Sequence, residues 1–195
     1  MMIEPPTFDE RLRSMVRRED WLMAVLETVR EIGLPDWIVA AGAIRNAVWD
    51  HLHRFDSPTQ VGDIDVLYLD ESGSLADDAL AQELARLQPK YRWEPVNQAV
   101  IHVWLKRAFG IEMTPLRSTE EGLATFSETA TAVGVRLEAD DELTIFAPVG
   151  LDDLFALILR ENAACPDKAL FAKRLATKGF LERWPDLRTV PARVR

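Results

Sequence analysis

The segment from 40 to 70 constrains the fold more than any other part of this chain of 195 residues. Residues 37–41 form a short apolar run of strand length that ends at Gly42. Residues 43–53 then return to helical spacing, and residues 61–69 alternate between apolar and polar positions, which is typical of a half-buried strand. A strand, a glycine turn, a helix and a second strand in close succession predict that helices and strands share one core.

The remaining patterns favour the same fold class. They predict helices over 9–32, 76–87, 118–126, 152–159 and 168–184, strands over 91–96 and 100–105, and a hairpin from 133–138 to 143–147. We therefore predict an α+β (α/β-like) fold with a mixed sheet flanked by helices. We expect one compact domain, in which residues 1–36 pack as an N-terminal helix on a core of residues 37–160 and residues 161–195 form a basic helical extension.

Charge is unevenly distributed along the chain. The formal net charge is −9, from 23 Lys and Arg against 32 Asp and Glu. Residues 160–195 carry nine basic and four acidic groups, which leaves 14 basic and 28 acidic groups in residues 1–159. The negative total excludes a protein held to DNA or RNA mainly by global charge, so long nucleic acid is not an expected partner. The basic segment either docks on the acidic body, the interpretation we favour, or brings positive charge to an anionic ligand.

The sequence also predicts a location in the cell. Cys165 is the single cysteine, so the chain has no internal disulfide, which is typical of a reducing compartment. The first residues lack the basic and then apolar pattern of a secretory signal. No apolar run approaches the roughly 20 residues that span a bilayer. We therefore expect a cytoplasmic protein with no membrane partner.

Two acids on the alternating strand suggest a metal site. Asp63 and Asp65 are two residues apart, so they share a strand face with their α-carbons about 6.5–7 Å apart. Carboxylate oxygens suit Mg²⁺, which takes few protein ligands and completes its shell with water and phosphates. Gly42 lets the backbone approach a phosphate, and the helix that follows offers free N–H groups to that anion. This combination is what phosphoryl or nucleotidyl transfer requires.

The Asp-x-Asp pattern by itself has other interpretations. Phosphatases of the haloacid dehalogenase type place it after an apolar run and usually before Thr, whereas Gly62 precedes it here. Metal-dependent glycosyltransferases also carry it and remain a competing interpretation. They normally have an extended nucleotide-binding domain before it, whereas only about 25 residues separate Trp37 from Asp63 in this chain.

The motifs together resemble a known superfamily. Ala-Gly-Ala at 41–43, Ile-Arg-Asn at 44–46 and Gly-Asp-Ile-Asp-Val at 62–66 are similar to the signature of the DNA polymerase beta-like nucleotidyltransferases. The similarity is greatest to the tRNA CCA-adding branch, from which this chain departs by Ala41 for a glycine and Asn46 for an acid. From about residue 20 to 187, the chain resembles a bacterial nucleotidyltransferase-like family of unassigned biochemical function.

This resemblance implies a set of site residues. Asp63, Asp65 and Glu94 would hold Mg²⁺ or Mn²⁺ and carry catalysis, and Gly42, Ala43, Arg45 and Asn46 would bind the nucleotide phosphates. Glu94 is the expected third carboxylate because its strand follows one helix after Asp65, and Asp70 is the second candidate. For Arg45, an exposed salt bridge on the helix is an equally good interpretation.

Other polar residues are weaker candidates. Asn97 and Gln98 would suit a base or ribose, although turn formation explains Asn97 as well. His102 lies in a predicted apolar strand, where a core histidine is favoured over a catalytic one. Lys173, Arg174 and Lys178 are interpreted as a solvated face in preference to a triphosphate site, and the tryptophans are assigned to the core.

The expected function is Mg²⁺-dependent transfer of a nucleoside monophosphate from a nucleoside triphosphate to an unidentified hydroxyl acceptor. The negative charge favours a small molecule or a protein as this acceptor. The alternative is a catalytically degenerate nucleotide-binding or regulatory protein that keeps the same fold.

Overall fold

A five-stranded mixed sheet organises residues 5–192, the part of the chain that this computed structural model describes. Its strands follow the order β3-β2-β1-β4-β5, in which β2 and β3 are parallel and the other neighbours are antiparallel. The strands are β1 (Ile38–Ala40), β2 (Ile64–Tyr68), β3 (Trp93–Asn97), β4 (Gly134–Leu137) and β5 (Leu143–Phe146). Two further strands, β6 (Ile158–Arg160) and β7 (Arg188–Val190), form a separate parallel pair.

Helices pack around this sheet, so the predicted α+β class is confirmed. They are α1 (Phe8–Arg18), α2 (Asp20–Ile32), α3 (Gly42–His53), α4 (Asp77–Leu87), α5 (Ile101–Phe109), α6 (Thr119–Leu123), α7 (Asp152–Phe155), α8 (Leu170–Thr177) and α9 (Phe180–Arg183). A 3₁₀ turn covers Thr129–Thr131. None of the helices within residues 5–192 is both long and apolar enough to cross a membrane.

The alternation in β2 separates the two faces of the sheet. Ile64, Val66 and Tyr68 are fully buried in the main hydrophobic core. Leu67 lies on the opposite face, in a much smaller apolar cluster, and Asp65 is half-buried on that same face. The main core therefore lies on one side of the sheet, and polar groups occupy part of the other side.

Several predicted elements end earlier than expected. The predicted helix over 9–32 is broken at Glu19, whose backbone is not helical (φ −93°, ψ 89°). The predicted helix over 152–159 stops before Leu157, which has a positive φ of 56°. The chain then continues as β6, which pairs with a distant strand near the C-terminus. The predicted C-terminal helix is divided into α8 and α9 at Gly179, and residues 193–195 of the predicted extension lie outside the described residues.

The predicted strand over 100–105 is wrong, because this segment forms α5. Ile101, Trp104, Leu105 and Phe109 recur at helical spacing, whereas the shorter apolar run within them has the length of a strand. By contrast, the predicted hairpin is confirmed, with β4 and β5 antiparallel across a tight connection.

Candidate active site

The turn between β1 and α3 has an unusual backbone conformation. Ala41 has φ 55° and ψ −118°, a region that side chains disfavour and glycine adopts readily. Two hydrogen bonds hold it there: its N–H donates to the Val133 carbonyl at 2.9 Å, and its carbonyl accepts from the Arg45 N–H at 2.9 Å. No side chain among the described residues caps α3, so the first N–H groups of this helix are available to an anion.

The predicted acids lie beside this turn. In the register of the sheet, Asp65 is the neighbour of Ala40 on β1 and of Glu94 on β3. Neighbouring strands are about 4.8 Å apart, so Asp65 and Glu94 are adjacent across the parallel pair. Asp63, Asp65 and Glu94 line the same cavity of about 460 Å³, together with Gly42 at the start of α3.

The Asp65 carboxylate is in an electrostatically unfavourable environment. Lost solvation, together with the charge of Asp63, raises its pKa to about 6, although Arg45 and two cations of the C-terminal segment oppose this rise. Within residues 5–192, the side chains of Asp63 and Asp65 form no hydrogen bond or ion pair. Two like charges close together disfavour each other's ionised form, which a bound divalent cation would relieve.

Glu94 has a partner of its own. Its carboxylate forms an ion pair with Arg92, two residues earlier in the chain. In the part of the chain that the structure describes, no three His, Cys, Asp or Glu side chains are grouped closely enough to hold a metal ion. Asp63 and Asp65 therefore form an unpaired couple, and Glu94 would have to leave Arg92 to join them.

Arg45 lines the cavity and is buried. Its Nη1 donates to Thr131 Oγ1 at 2.9 Å and its Nη2 donates to Asn46 Oδ1 at 2.8 Å. The guanidinium also lies over the rings of Trp49 and Phe180, at 5.1 and 5.0 Å from their centroids. Burial lowers the pKa of Arg45 to about 10, which leaves it protonated at neutral pH. An exposed helix salt bridge is thus excluded, and Asn46 holds Arg45 in place without lining the cavity.

The C-terminal segment brings cations to the same cavity. Lys173, Arg174 and Lys178 all line it. Arg174 is tied to the protein body, because its Nε donates at 2.7 Å to Oε1 of Glu128, a carboxylate with no exposed surface. Among the described residues, neither Lys173 nor Lys178 forms an ion pair. The interpretation of these three residues as a solvated face therefore missed their position beside the acids.

A family model described as a nucleotidyltransferase matches residues 27–189 of this sequence. The chain belongs to this nucleotidyltransferase family. The match covers the turn before α3, the acids of β2 and β3, and the cations of α8. It does not support the competing interpretation as a glycosyltransferase.

Solved structures resemble this nucleotidyltransferase over most of its length. A CCA-adding enzyme head domain solved by NMR is 27% identical, with a TM-score of 0.80, over 95% of this chain and 97% of that one. A CCA-adding enzyme in complex with CTP is 17% identical with a TM-score of 0.55, and the Thermotoga maritima enzyme in complex with tRNA is 16% identical with a TM-score of 0.56. In each of these two, 92% of this chain matches 42% of the longer enzyme, which shows a shared fold. No match is found among the curated proteins.

Besides Asn46, four of the site residues predicted from the sequence of this nucleotidyltransferase do not line the cavity. Ala43 is in the main core. The Asn97 side chain forms a turn, since its Oδ1 accepts from the N–H groups of Asp70 and Ala99 and its Nδ2 donates to the Asp70 carbonyl. Gln98 is buried and donates to the Val96 carbonyl.

His102 is the fourth of these residues. It lies on α5 and lines a separate hollow, and its buried Nδ1 has no hydrogen-bond partner among the described residues. The second candidate for a third carboxylate, Asp70, caps its own turn by accepting from the Leu75 N–H and from Ser72. The side chains of Asn97 and Asp70 therefore organise loops near the sheet.

One set of cavity residues was assigned wrongly from the sequence. Ile101, Trp104, Leu105 and Phe109 of α5 line the cavity of the nucleotidyltransferase. Trp104 is 53% exposed and Phe109 is 60% exposed, so the assignment of Trp104 to the core is wrong. The helical spacing of these four apolar residues is the sequence signal that indicates a helix with one apolar face.

Proposed function

We propose that the protein transfers a nucleoside monophosphate from a nucleoside triphosphate to a hydroxyl acceptor, with Mg²⁺ or Mn²⁺ as cofactor. The observation that carries this proposal is one cavity of about 460 Å³ that is lined both by acids, which can bind a cation, and by positively charged groups, which can bind phosphates. Asp63 and Asp65, whose side chains have no partner within residues 5–192, suit a cation, while the start of α3 and two lysines suit phosphates. The family match supports the reaction class.

The donor set of Asp63 and Asp65 fits a hard divalent cation. Both offer carboxylate oxygens and neither side chain has a hydrogen-bond or ion-pair partner among the described residues, while burial and then the charge of Asp63 raise the pKa of Asp65. Glu94 is the register neighbour of Asp65 and would supply a third carboxylate after release from Arg92. A bound Mg²⁺ or Mn²⁺ would neutralise charge that develops on the phosphates.

The protein's own groups would then orient the reactants. The N–H groups at the start of α3, with Lys173 and Lys178, hold the β- and γ-phosphates. The acceptor hydroxyl oxygen bonds to the α-phosphorus while the bond to the β-phosphate oxygen breaks, so that pyrophosphate leaves. Glu94, beside Asp65, accepts the proton of the attacking hydroxyl. Arg45, held by Thr131 and Asn46, keeps a positive charge fixed in the cavity wall.

We propose a small molecule or a protein as the acceptor, because the net charge of −9 disfavours a long nucleic acid. CCA-adding enzymes of the same fold have been solved with CTP, with ATP and, for Thermotoga maritima, with tRNA. Those complexes support a nucleoside triphosphate as donor for this fold. We propose the cytoplasm as its location.

A second candidate function is nucleotide binding without turnover. Two observations favour it: the ion pair between Arg92 and Glu94, and the strained Ala41 where the related motif has glycine. Such a protein would bind a nucleoside triphosphate and a cation but release no pyrophosphate.

The test is calorimetric titration with ATP, GTP, CTP and UTP, each with and without Mg²⁺, on wild type and on Asp63→Ala/Asp65→Ala. We expect Mg²⁺-dependent binding that the double variant loses. The matched control is Glu71→Ala/Asp78→Ala, which removes two exposed acids outside the cavity. No binding by folded wild-type protein, or equal losses in both double variants, would overturn the proposal.

A second assay separates the two candidate functions. Pyrophosphate release is measured for each triphosphate that binds, in the presence of a panel of hydroxyl compounds and with water as the reference acceptor. Release that depends on Asp63 and Asp65 supports the transferase. Tight binding without release across the panel favours the degenerate protein.

A further inference from the structure

Helix α5 has an apolar face that does not pack on the core. Ile101, Trp104, Leu105 and Phe109 are spaced to form one side of this helix, and none of its residues is buried. Such a face normally packs against the protein interior. Here it lines the candidate active site, with the rings of Trp104 and Phe109 edge to face at 5.2 Å between centroids. Exposed apolar surface of this kind is typical of a binding site.

The cavity therefore has two chemically different sides. The start of α3 follows β1, and α5 follows β3, so these elements come from strands on either side of β2 and its Asp65. The α3 side, together with Lys173 and Lys178, attracts negative charge, whereas the α5 face offers aromatic and aliphatic surface. A ligand that satisfies both sides is polyanionic at one end and flat and weakly polar at the other.

A nucleoside triphosphate is such a ligand, and we infer that Trp104, supported by Phe109, stacks on its base. This inference rests on the proposed function, because it assumes that the triphosphate occupies the cationic side. Stacking on an aromatic side chain accepts every base, since each has a π-face. The indole N–H of Trp104 is the one hydrogen-bonding group among these four side chains, so they cannot read the edge pattern that distinguishes bases.

Weak base selectivity follows from this arrangement. The ring area that overlaps Trp104 is larger for purines than for pyrimidines, so ATP and GTP bind more tightly than CTP and UTP. The difference is modest because the four side chains of α5 gain or lose no complementary edge contact between one base and another. Selection of one base by a large factor is not compatible with stacking as the main contact.

Calorimetry on Trp104 variants tests the inference, with ATP, GTP, CTP, UTP and inorganic tripolyphosphate as probes in the presence of Mg²⁺. Trp104→Ala is expected to weaken the binding of each nucleoside triphosphate by about 10-fold, within the range of roughly 5- to 150-fold that loss of one base stack causes. Tripolyphosphate affinity stays unchanged because this probe has no base. Trp104→Phe recovers most of the loss, since a smaller π-face remains.

The matched control is Val103→Ala, on the same helix. Val103 is 56% exposed and does not line the cavity, so its removal leaves all five affinities unchanged. A second readout is tryptophan fluorescence: ATP changes the emission of the wild type, and this change is lost in Trp104→Phe although ATP still binds. Because Trp104 is exposed, its variants are expected to fold, which far-ultraviolet circular dichroism checks.

Three results would overturn the inference. The first is an affinity for nucleoside triphosphates that Trp104→Ala leaves unchanged. This includes the case in which the variant lowers only the rate of transfer, because the acceptor and not the base then binds against α5. The second is an equal loss for tripolyphosphate, and the third is a preference above about 100-fold for a single base. If wild type binds the triphosphates through Asp63 and Asp65 under any of these results, the proposed function survives and the stacking inference alone fails. Wild type that binds neither nucleotide nor tripolyphosphate contradicts both.

Discussion

The two faces of the central sheet differ in what they bury. On one face, Ile64 and Val66 of β2 belong to a core that also contains Val39 of the neighbouring strand. On the other face, a small apolar cluster leaves room for Asp65 and Glu94 beside a cavity. Adjacent residues of one strand therefore have separate roles, since alternate side chains point to opposite faces. The packed face supplies stability that allows unpaired acids on the other.

Substitution on the packed face gives the largest expected effect on stability. Ile64 has no exposed surface, and Ile64→Ala removes buried carbon atoms and leaves a cavity, so we expect a loss of about 2–5 kcal/mol in the free energy of unfolding. Urea denaturation measures it. Asp63→Ala, one position earlier and on the opposite face, is the control and is expected to cause no loss. Similar losses in both variants would contradict the division of roles between the faces.

A smaller effect is expected from removing the charge of Asp65. Its pKa is about 6 in the folded protein against an ordinary 3.8. The folded protein therefore favours the protonated form of Asp65. Protonation of Asp65 stabilises the fold fully below pH about 4, and this contribution is lost as the pH rises through 6. Asp65→Asn has no charge to bury, so we expect it to be more stable than wild type at pH 7.5. The gain in the free energy of unfolding is limited to about 1–2 kcal/mol because the half-buried carboxylate of the wild type keeps part of its hydration.

This prediction is measured by urea denaturation of metal-free protein at pH 4 and at pH 7.5. The advantage of Asp65→Asn should be present at the higher pH and small at the lower one. Glu71→Gln, at an exposed acid away from the cavity, should show no such pH dependence. A constant difference between Asp65→Asn and wild type at both pH values would show that burial of the charge is not its cause.

The smallest expected effect on stability concerns the turn between β1 and α3. Ala41 has a backbone conformation that disfavours a side chain, and glycine relieves this strain although it also gains freedom in the unfolded chain. We expect Ala41→Gly to stabilise the protein by about 1 kcal/mol, measured by thermal denaturation. Ala40→Gly is the matched control: Ala40 is a buried strand residue, so its replacement should destabilise. Destabilisation by both would contradict strain at position 41.

The sequence predicted the elements that rely on local pattern. Alternation in 61–69 and helical spacing in 43–53 are each sufficient to indicate their elements, so β2, α3 and the position of Asp65 followed. A strand that carries Glu94, one helix later, was also predicted, and the structure pairs it parallel to β2 with Glu94 as the register neighbour of Asp65. That Glu94 and Asp65 share a metal ion stays a prediction.

One element was missed although its pattern is local, and the other features depended on contacts between residues far apart in the chain. The segment 100–105 is apolar over the length of a strand, and only its continuation to Phe109 indicates a helix. Strand β6 exists because a segment near the C-terminus pairs with it, which no local pattern reveals. Whether Lys173 and Lys178 face solvent or the acids depends on where the chain after α7 places α8. The ion pair between Arg174 of α8 and the buried Glu128 fixes this position.

The cavity is assembled from residues far apart in the chain, which links ligand binding to the cooperative unfolding of the whole molecule. Gly42 and Lys178 line the same space, so a ligand that contacts both binds only when the chain between them is folded. Binding to the folded state alone then raises the midpoint of thermal unfolding. A ligand at 100 times its dissociation constant adds about 2.7 kcal/mol to the free energy of unfolding. A fragment that ends before α8 would lose this coupling, even where its sheet still forms.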